Sequence, residues 1–512
     1  MLLGTLAVGL ASHGYGLFRY PLYLTDEGIY MQRAWSTLEH GMLSPYTYFY
    51  DHAPGGWIAL AAWSAILPGR FDAFGDPVNS GRMLMLLVHL GSVYLLFDIA
   101  RRLSGGLVAP VIATTLFNLS PLAVFYQRMV LLDNLMVFWL LLTVYLVCRA
   151  EQRITAAVAA GLSFGLAVVT KENAVFFAPA LGYLLYQQVK GRPSRRFSRS
   201  FYFFAAFTPV SFYLMYAALK GELFPRGLNF SLQSPPEGQV SLGYTIWWQL
   251  HRTQGSAVSG NGLFWKMMHS FWLTKDSHLL IVGAVATVVL LFQGVLSRSR
   301  RQTALVPAML TVSYAAYLMR GSVLLDFYIV PLIPLLALNI GLLIGQAQRR
   351  APPPVTVAVV AVLLGVLLSP AGGYLLVHSS SGRLQLLDAY RLDQTSMQTR
   401  QLAWVRSHVP ATDRIVIDDD MWTSLHGANP PYRNAVSHWE ASADPAVRDK
   451  VFHRSWRRID WIVLSNKMRL AMERNNGDRR ETWILDALDH HARQVWGLRQ
   501  GNVALYVYRV DH

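Results

Sequence analysis

Residues 327–346 read FYIVPLIPLLALNIGLLIGQ and contain no charged side chain. A helix needs about 20 such residues to cross the hydrocarbon core of a bilayer. The whole chain has this character, because 53% of its 512 residues are hydrophobic and 15% are charged. An ordinary soluble domain is about 25% charged. The composition therefore predicts a membrane protein and excludes a disordered or wholly water-soluble chain.

Other segments approach the 327–346 stretch in length and apolarity. The eleven predicted spans lie near 2–18, 82–98, 107–124, 135–149, 155–170, 174–189, 201–219, 278–296, 303–319, 327–346 and 354–377. The fifth and sixth are so close that we expect a tight hairpin, with Lys171 and Glu172 exposed at one face.

The net charge of +15, from 45 Lys and Arg against 30 Asp and Glu, has a topological explanation. Cations concentrate in alternate short loops, which is typical of cytoplasmic loops. This distribution predicts a multi-pass membrane protein with a cytoplasmic N-terminus and an extracytoplasmic C-terminal tail, and it requires no nucleic-acid partner. We expect the membrane to be the plasma membrane. The first span has no basic segment before it, so we expect a retained helix rather than a signal peptide.

The spans divide the chain into a membrane domain, 1–377, with external loops at 19–81 and 220–277, and a tail, 378–512. In the first loop, residues 26–40 and 55–67 have helical patterns typical of the membrane surface, with Trp35, Trp57 and Trp63 at headgroup depth. The tail pattern predicts strands at 414–418, 461–464 and 503–510, and helices at 399–408, 443–456 and 480–493. The predicted fold class is an α-helical polytopic membrane protein with about 11 transmembrane helices and a small extracytoplasmic α/β domain.

Acids and bases cluster on the external face, where the loops between spans meet the hydrocarbon edge. Ionisable groups at membrane depth are costly unless they pair or line a cavity, so they are functional candidates. The clustered residues are Asp26, Glu27, Asp51, His52, Arg128, Asp133, Lys171, Glu172, Arg320 and Asp326.

Five motifs in this region occur in a familiar order: YLTDEGIYM (23–31), YDHAP (50–54), LLDN (131–134), TKE (170–172) and FYIVP (327–331) with Pro334. Together they resemble the GT-C glycosyltransferases, and most of all the protein O-mannosyltransferase and lipid A aminoarabinose transferase group. The resemblance covers about residues 20–340. It implies a GT-C fold and a donor sugar carried on polyprenyl phosphate.

The resemblance also implies site residues. It places Asp26 as the catalytic base and adds Glu27 and Asp133 as further catalytic residues. The carrier-phosphate and substrate site then takes Asp51, His52, Lys171, Glu172, Arg128, Arg320 and Tyr328. The chain departs from the pattern at Ala53, where a proline is expected, and at Glu172, where many relatives have glycine.

The chemistry of such a transfer requires the residue types that the resemblance implies, a carboxylate and several cations. A sugar that leaves a polyprenyl phosphate develops negative charge on the phosphate, and the acceptor must lose a proton. An inverting single displacement therefore needs a carboxylate beside the nucleophile and cations beside the phosphate. Among the cations, Lys171 is the first choice, followed by His52 and Arg320.

Each candidate also has a purely structural alternative. Asp26 suits a helix N-cap, and Asp133 is spaced to pair with Arg128. Lys171 and Glu172 would neutralise each other in a tight turn, and Arg320 would anchor its helix at the headgroups.

The cofactor prediction is that no metal is required. Asp26, Asp133 and His52 are suitable ligand types, so a divalent metal ion is kept as an alternative. No short ligand spacing in the sequence supports one. The acidic run 418–420 is interpreted as a loop-facing strand end, in a tail that covers the active face.

Two other classes of function remain as alternatives, and the acceptor is undetermined among protein, lipid and cell-envelope glycan. A transporter predicts charges near the middle of spans and an inverted repeat. A non-catalytic scaffold predicts external acids that are replaceable one at a time.

Overall fold

The computed structural model is largely helical. It describes residues 1–150, 153–224, 239–252, 262–321, 323–349, 388–475 and 482–512, with 358, 361, 362 and 365. The α-helices in the described residues up to 349 are α1 (Leu2–Gly14), α2 (Thr25–His40), α3 (Gly55–Ile66), α4 (Pro77–Ser104), α5 (Val108–Leu119), α6 (Pro121–Tyr126), α7 (Leu132–Val147), α8 (Ile154–Thr170), α9 (Ala178–Val189), α10 (Arg195–Leu219), α11 (Leu242–His251), α12 (Leu263–Met267), α13 (Leu273–Leu296), α14 (Val306–Leu318) and α15 (Leu332–Gln348).

Several of these helices are membrane-crossing in length and apolarity. Within the described residues, four helical stretches meet both criteria: Pro77–Ser104, Arg195–Leu219, Leu263–Leu296 and Asp326–Gln348. The large apolar side chains of α10 and α13 that point away from the protein, such as Phe204 and Phe292, suit contact with lipid. Ten of the eleven predicted spans coincide with helices, and the eleventh, 354–377, lies largely outside the described residues.

The two helices predicted in the first external loop are confirmed as α2 and α3, but Trp35 and Trp57 are not arranged as predicted. Trp57 is fully buried and stacks under the guanidinium of Arg33, whose Cζ lies 4.9 Å from the ring centroid. Trp35 packs edge-on against Trp422 of the tail at 5.5 Å. The headgroup placement is therefore wrong for Trp57, and Trp35 instead joins α2 to the tail.

The tail contains a five-stranded sheet in its described residues, in the order β2-β1-β3-β5-β4. The strands are β1 (Ile415–Ile417), β2 (Ala435–Ser437), β3 (Trp461–Ser465), β4 (Ala492–Gln500) and β5 (Val503–Val510). β1 pairs in parallel with β2 and β3, whereas β5 pairs antiparallel with β3 and β4. The tail helices are Asp388–Arg391, Thr395–His408, Trp422–His426, His438–Ala443, Pro445–Arg448, Asn466–Asn475 and Thr482–His490.

The predicted α/β tail is confirmed as a class, with errors in detail. The three predicted strands exist, but sequence reasoning missed β2 and β4. The predicted 443–456 helix is wrong in extent, because the chain there forms only the short His438–Ala443 and Pro445–Arg448 helices. Asp444 separates these two helices, accepting a hydrogen bond from Ala446 N at 2.8 Å and capping the second.

A cluster of arginine side chains and the candidate site lie at opposite ends of the membrane helices. At one end, Asp98 of α4 pairs with Arg101 at 2.8 Å and with Arg102, and it lies 4.0 Å from Arg149. The N-terminal end of α4 instead meets α2 through Arg82. The helices therefore separate an arginine-rich end from the end that carries the candidate site.

Candidate active site

Asp26 lies in the first turn of α2, partly exposed to solvent. It is not the N-cap, because that position is Leu24. Burial raises the pKa of the Asp26 carboxyl, and the nearby charges of Lys171 and His52 oppose that rise. The structural alternative of a capping residue is therefore wrong, and Asp26 is a carboxyl with a raised pKa within electrostatic reach of cations.

Glu27, its neighbour, points into the protein instead. Its side chain is fully buried and holds Arg82 through two hydrogen bonds, at 2.9 and 2.8 Å. Its carboxylate also accepts from the backbone N–H groups of Leu24 and Val130, at 3.0 and 2.9 Å. Because both oxygens are occupied in this way, Glu27 is placed to orient the start of α2 rather than to contact a substrate.

Asp133 pairs with Lys171, not with Arg128. The Lys171 ammonium lies 2.5 Å from Asp133 Oδ2, and both side chains are almost completely buried. Burial alone would lower the pKa of Lys171, but Asp133 and Tyr328 outweigh it and raise that pKa. The predicted exposure of Lys171 is therefore wrong, as is the alternative that Lys171 and Glu172 neutralise each other.

The 51–53 turn is held from two sides. Asp51 forms a two-point ion pair with Arg33, at 2.9 and 3.0 Å. Glu172 accepts a hydrogen bond from the Ala53 N–H, and its other oxygen lies 3.6 Å from His52 Nδ1. Burial raises the pKa of Asp51, but the charges of Arg33 and His52 hold it below its usual range. Asp51 and Glu172 thus position the turn that presents His52.

A cavity of about 350 Å³ opens beside this turn. Lys171, Arg252, Arg320 and His52 bring positive or protonatable groups to it, and Tyr328 lies beneath Lys171, with 4.5 Å from Nζ to the ring centroid. Two acids, Asp51 and Glu172, also line it, but Asp51 is paired with Arg33 and Glu172 binds the Ala53 N–H. The rest of the lining is largely apolar and includes Val168, Val175, Phe176, Val210, Leu214, Ile246 and Leu250. The cavity is therefore an apolar groove with a cationic end.

Two arginines that line the cavity have N–H groups without a hydrogen-bond acceptor. The Nε atoms of Arg252 and Arg320 are buried without a hydrogen-bond partner. Arg320 also stacks on Tyr317 at 3.9 Å, and Arg252 on Trp248 at 4.8 Å. Sequence reasoning missed Arg252, although its position just after the apolar helix α11 in an external loop was a usable signal.

Arg128 lies elsewhere. It is fully buried and donates to the carbonyl oxygens of Ser12, Tyr15 and Ala389, at 2.6, 3.0 and 2.7 Å. Its ring contact is with Tyr390 of the tail, at 5.1 Å. Arg128 thus ties α1 to the beginning of the described tail, and it is absent from the residues that line the cavity.

The site residues do not fit a divalent cation. Within the described part of the chain, no group of three or more His, Cys, Asp and Glu side chains is arranged to hold a metal ion. At the candidate site the Lys171 ammonium binds Asp133 Oδ2, which places a positive charge where a metal ion would bind this carboxylate. We therefore derive no step through a metal.

Part of the chain matches a known protein family. Residues 59–216 match the family model described as Dolichyl-phosphate-mannose-protein mannosyltransferase. No curated protein matches the sequence.

Solved structures share the fold at low sequence identity. ArnT from Cupriavidus metallidurans, bound to undecaprenyl phosphate, matches with a TM-score of 0.60 and 14% identity, over 99% of this chain and 97% of that one. Its apo state matches with a TM-score of 0.61. The apo oligosaccharyltransferase of Archaeoglobus fulgidus matches with a TM-score of 0.56 and 11% identity, over 91% of this chain and 69% of that one.

The fold is that of a polytopic membrane protein and is similar to the fold of solved GT-C glycosyltransferases. The predicted resemblance to GT-C glycosyltransferases is confirmed by the family model over residues 59–216 and by the fold over nearly the whole chain.

Proposed function

We propose that this protein transfers a sugar from a polyprenyl-phosphate carrier to an acceptor at the outer face of the plasma membrane. The observation that supports this proposal most is the cavity itself. It combines an apolar groove with a cationic end, and Asp26, which does not line the cavity, lies within electrostatic reach of Lys171 and His52. A phosphate attached to a long hydrocarbon chain has the matching chemistry.

In this proposal, Lys171, Arg252 and Arg320 bind the carrier phosphate. Arginine offers a planar pair of donors to phosphate oxygens, whereas lysine acts as a compact charge. The unpartnered Nε atoms of Arg252 and Arg320 leave donors for that purpose. His52 adds a fourth group, positioned by Glu172. The binding of undecaprenyl phosphate by ArnT, which shares the fold, is in keeping with this assignment.

The apolar part of the groove accommodates the start of the polyprenyl chain. Its walls come from α8, α9, α10 and α11, through side chains such as Val168, Phe176, Val210 and Ile246. Burial of hydrocarbon contributes about 25 cal/mol per Å² removed from water, so the groove supplies affinity while the cations supply orientation.

Asp26 acts as the general base. Its carboxylate takes the proton of the acceptor hydroxyl or amine, and the acceptor atom attacks the anomeric carbon. The bond from that carbon to the phosphate oxygen breaks, and its electron pair leaves with the polyprenyl phosphate. Cations stabilise the negative charge that develops there. Attack opposite to the leaving group inverts the anomeric configuration.

The orientation follows from the two ends of the helices. The arginine-rich end around Asp98 is assigned to the cytoplasm, because cytoplasmic loops carry an excess of Lys and Arg. The cavity and the tail then face the outside, as the carrier-linked donor requires.

The proposal is tested with Asp26→Asn in cells and in purified protein. We expect one glycosylated lipid, protein or envelope glycan to disappear from mass spectra, with normal protein abundance and retained binding of undecaprenyl phosphate. An unchanged glycan profile together with lost uptake of a solute would contradict the proposal and favour a transporter. An unchanged profile with no loss of transport would favour a scaffold.

A further inference from the structure

Helix α2 packs tightly against the acidic run 418–420 of the tail. A Cβ atom placed on Gly28 would lie 2.4 Å from the carbonyl carbon and oxygen of Asp419. Only glycine at position 28 permits this approach without a rearrangement. The predicted loop-facing position of this run is therefore wrong, because Asp419 and Asp420 are buried against the helix that carries Asp26.

Oxygen atoms without hydrogen-bond donors collect at this contact. Asp419 is 1% exposed, and both of its carboxylate oxygens lack a hydrogen-bond donor. Gln32, one turn after Gly28 on α2, is also 1% exposed, and its Oε1 is buried without a donor. The Gln32 Nε2 donates to Glu440 Oε2 at 3.0 Å, so the unpartnered amide oxygen lies beside the Glu440 carboxylate.

Three neighbouring side chains that could donate to these oxygens already bind other carboxylates. The Ser437 hydroxyl donates to Glu440 Oε2 at 2.8 Å. Gln398 Nε2 donates to Asp420 at 2.6 Å, and Arg33 is bound by Asp51. Among the described residues, no Lys or Arg side chain forms an ion pair with Asp419, Asp420 or Glu440.

The surroundings make this arrangement costly without a positive charge. Burial raises the pKa of the Asp419 carboxyl, and the negative charges of Glu440, Asp418 and Asp420 raise it further. A buried carboxylate is stable only when it is paired, hydrogen-bonded or bound to a metal. The two Asp419 carboxylate oxygens and Gln32 Oε1 are oxygen acceptors, which is the ligand type that hard cations prefer.

We propose that a hard divalent cation of the Ca²⁺ class binds between α2 and the tail, held by the Asp419 carboxylate, Glu440 and the Gln32 amide oxygen. No three His, Cys, Asp or Glu side chains in the described residues are grouped as a metal site. This site therefore depends on two carboxylates together with an amide oxygen and water, a mixture that Ca²⁺ accepts. The cation clamps α2 to the tail and so holds the helix on which Asp26 lies.

This inference goes beyond the proposed transfer reaction, and its test uses binding and stability rather than activity. The purified full-length protein is stripped with EDTA, and Ca²⁺ or Mg²⁺ alone is added back. We expect about one bound Ca²⁺ per chain by metal analysis, with a Kd of about 10⁻⁴–10⁻³ M, as in extracellular sites. We also expect Ca²⁺ to raise the Tm.

The variant Asp419→Asn should lose both the bound Ca²⁺ and the rise in Tm. The matched control is Asp511→Asn, which removes an exposed carboxylate of the same tail and should behave as wild type. Gln32→Met, which keeps the side-chain length and removes the amide oxygen, should weaken Ca²⁺ binding and covers the case in which Asp419→Asn does not fold. A stripped wild-type protein that binds no Ca²⁺ and shows no change in Tm would overturn the proposal and indicate protonated carboxyl groups instead. Loss of the Ca²⁺ response in Asp511→Asn as well would also overturn it.

Discussion

Lys171 and Asp133 form a buried ion pair, with 2.5 Å between Nζ and Oδ2, that joins the end of α8 to the start of α7. The pair holds the ammonium over the ring of Tyr328, at the cationic end of the cavity. Asp133 therefore serves as the counterion of Lys171, and in the proposed reaction Asp26 is the carboxyl group that accepts the proton.

Replacement of Asp26 by Asn should reduce turnover by about 10²–10⁴-fold, the usual contribution of a general base. The measurement is the rate of product formation in membranes, normalised to protein abundance. Asp72→Asn, which changes an exposed acid of the same loop, is the control and should keep full activity. Full activity of Asp26→Asn would remove the residue from the mechanism.

Activity should decrease as the pH falls through the raised pKa of Asp26, at a higher pH than for an ordinary aspartate of about 3.9. Stability should show the opposite sign. The folded state favours the protonated carboxyl, so its contribution to stability is present at low pH and is lost as the pH rises through the raised pKa. Unfolding of wild type and Asp26→Asn across this range measures the effect, and the Asn variant should lack that contribution.

Removal of one partner of the Lys171–Asp133 pair should destabilise the protein by about 3–5 kcal/mol, because the other charge remains buried. Lys171→Met and Asp133→Asn therefore should each lower the Tm, while the double variant should be more stable than Lys171→Met alone. A double-mutant cycle in thermal unfolding checks the coupling. Additive losses would show that the two side chains do not depend on each other.

Replacement of Arg252 or Arg320 by Gln should weaken binding of undecaprenyl phosphate. A hydrogen bond to a charged group contributes about 1.5–3 kcal/mol, which corresponds to about 10–150-fold in Kd. Titration with the carrier lipid checks this, and Arg19→Gln, at an exposed position on the same side, is the control. Unaltered affinity in both variants would place the phosphate elsewhere.

Glu27→Gln should act mainly on stability and on the geometry of the site. It removes the charge that Arg82 requires in a fully buried position, so we expect a lower Tm and a lower kcat. The conservative Glu27→Asp variant, which keeps the charge on a shorter side chain, should recover part of the stability. A normal Tm with lost activity would instead indicate direct contact with the substrate.

The membrane helices could be predicted from the sequence because the bilayer restricts which backbone structures can cross it. Backbone groups in hydrocarbon must be satisfied within the helix, so long apolar segments specify helices directly. The same reasoning worked less well in the tail. There, the short strand β2 and the edge strand β4 carry weak patterns, and the 438–448 helices end at local caps that periodicity does not reveal.

The sequence by itself determined the apolar helices, the order of the motifs and the end of the helices at which acids and bases gather. Only the tertiary structure decided which of these groups meet. Glu27 and Asp26 are adjacent in sequence, but one faces Arg82 from α4, 55 residues away, and the other remains partly exposed near Lys171. Arg252 comes to the cavity from a separate loop, and Asp419 reaches α2 from the far tail. Helical spacing reports which face of one helix a residue occupies, whereas the partner of a buried charge depends on how distant segments pack.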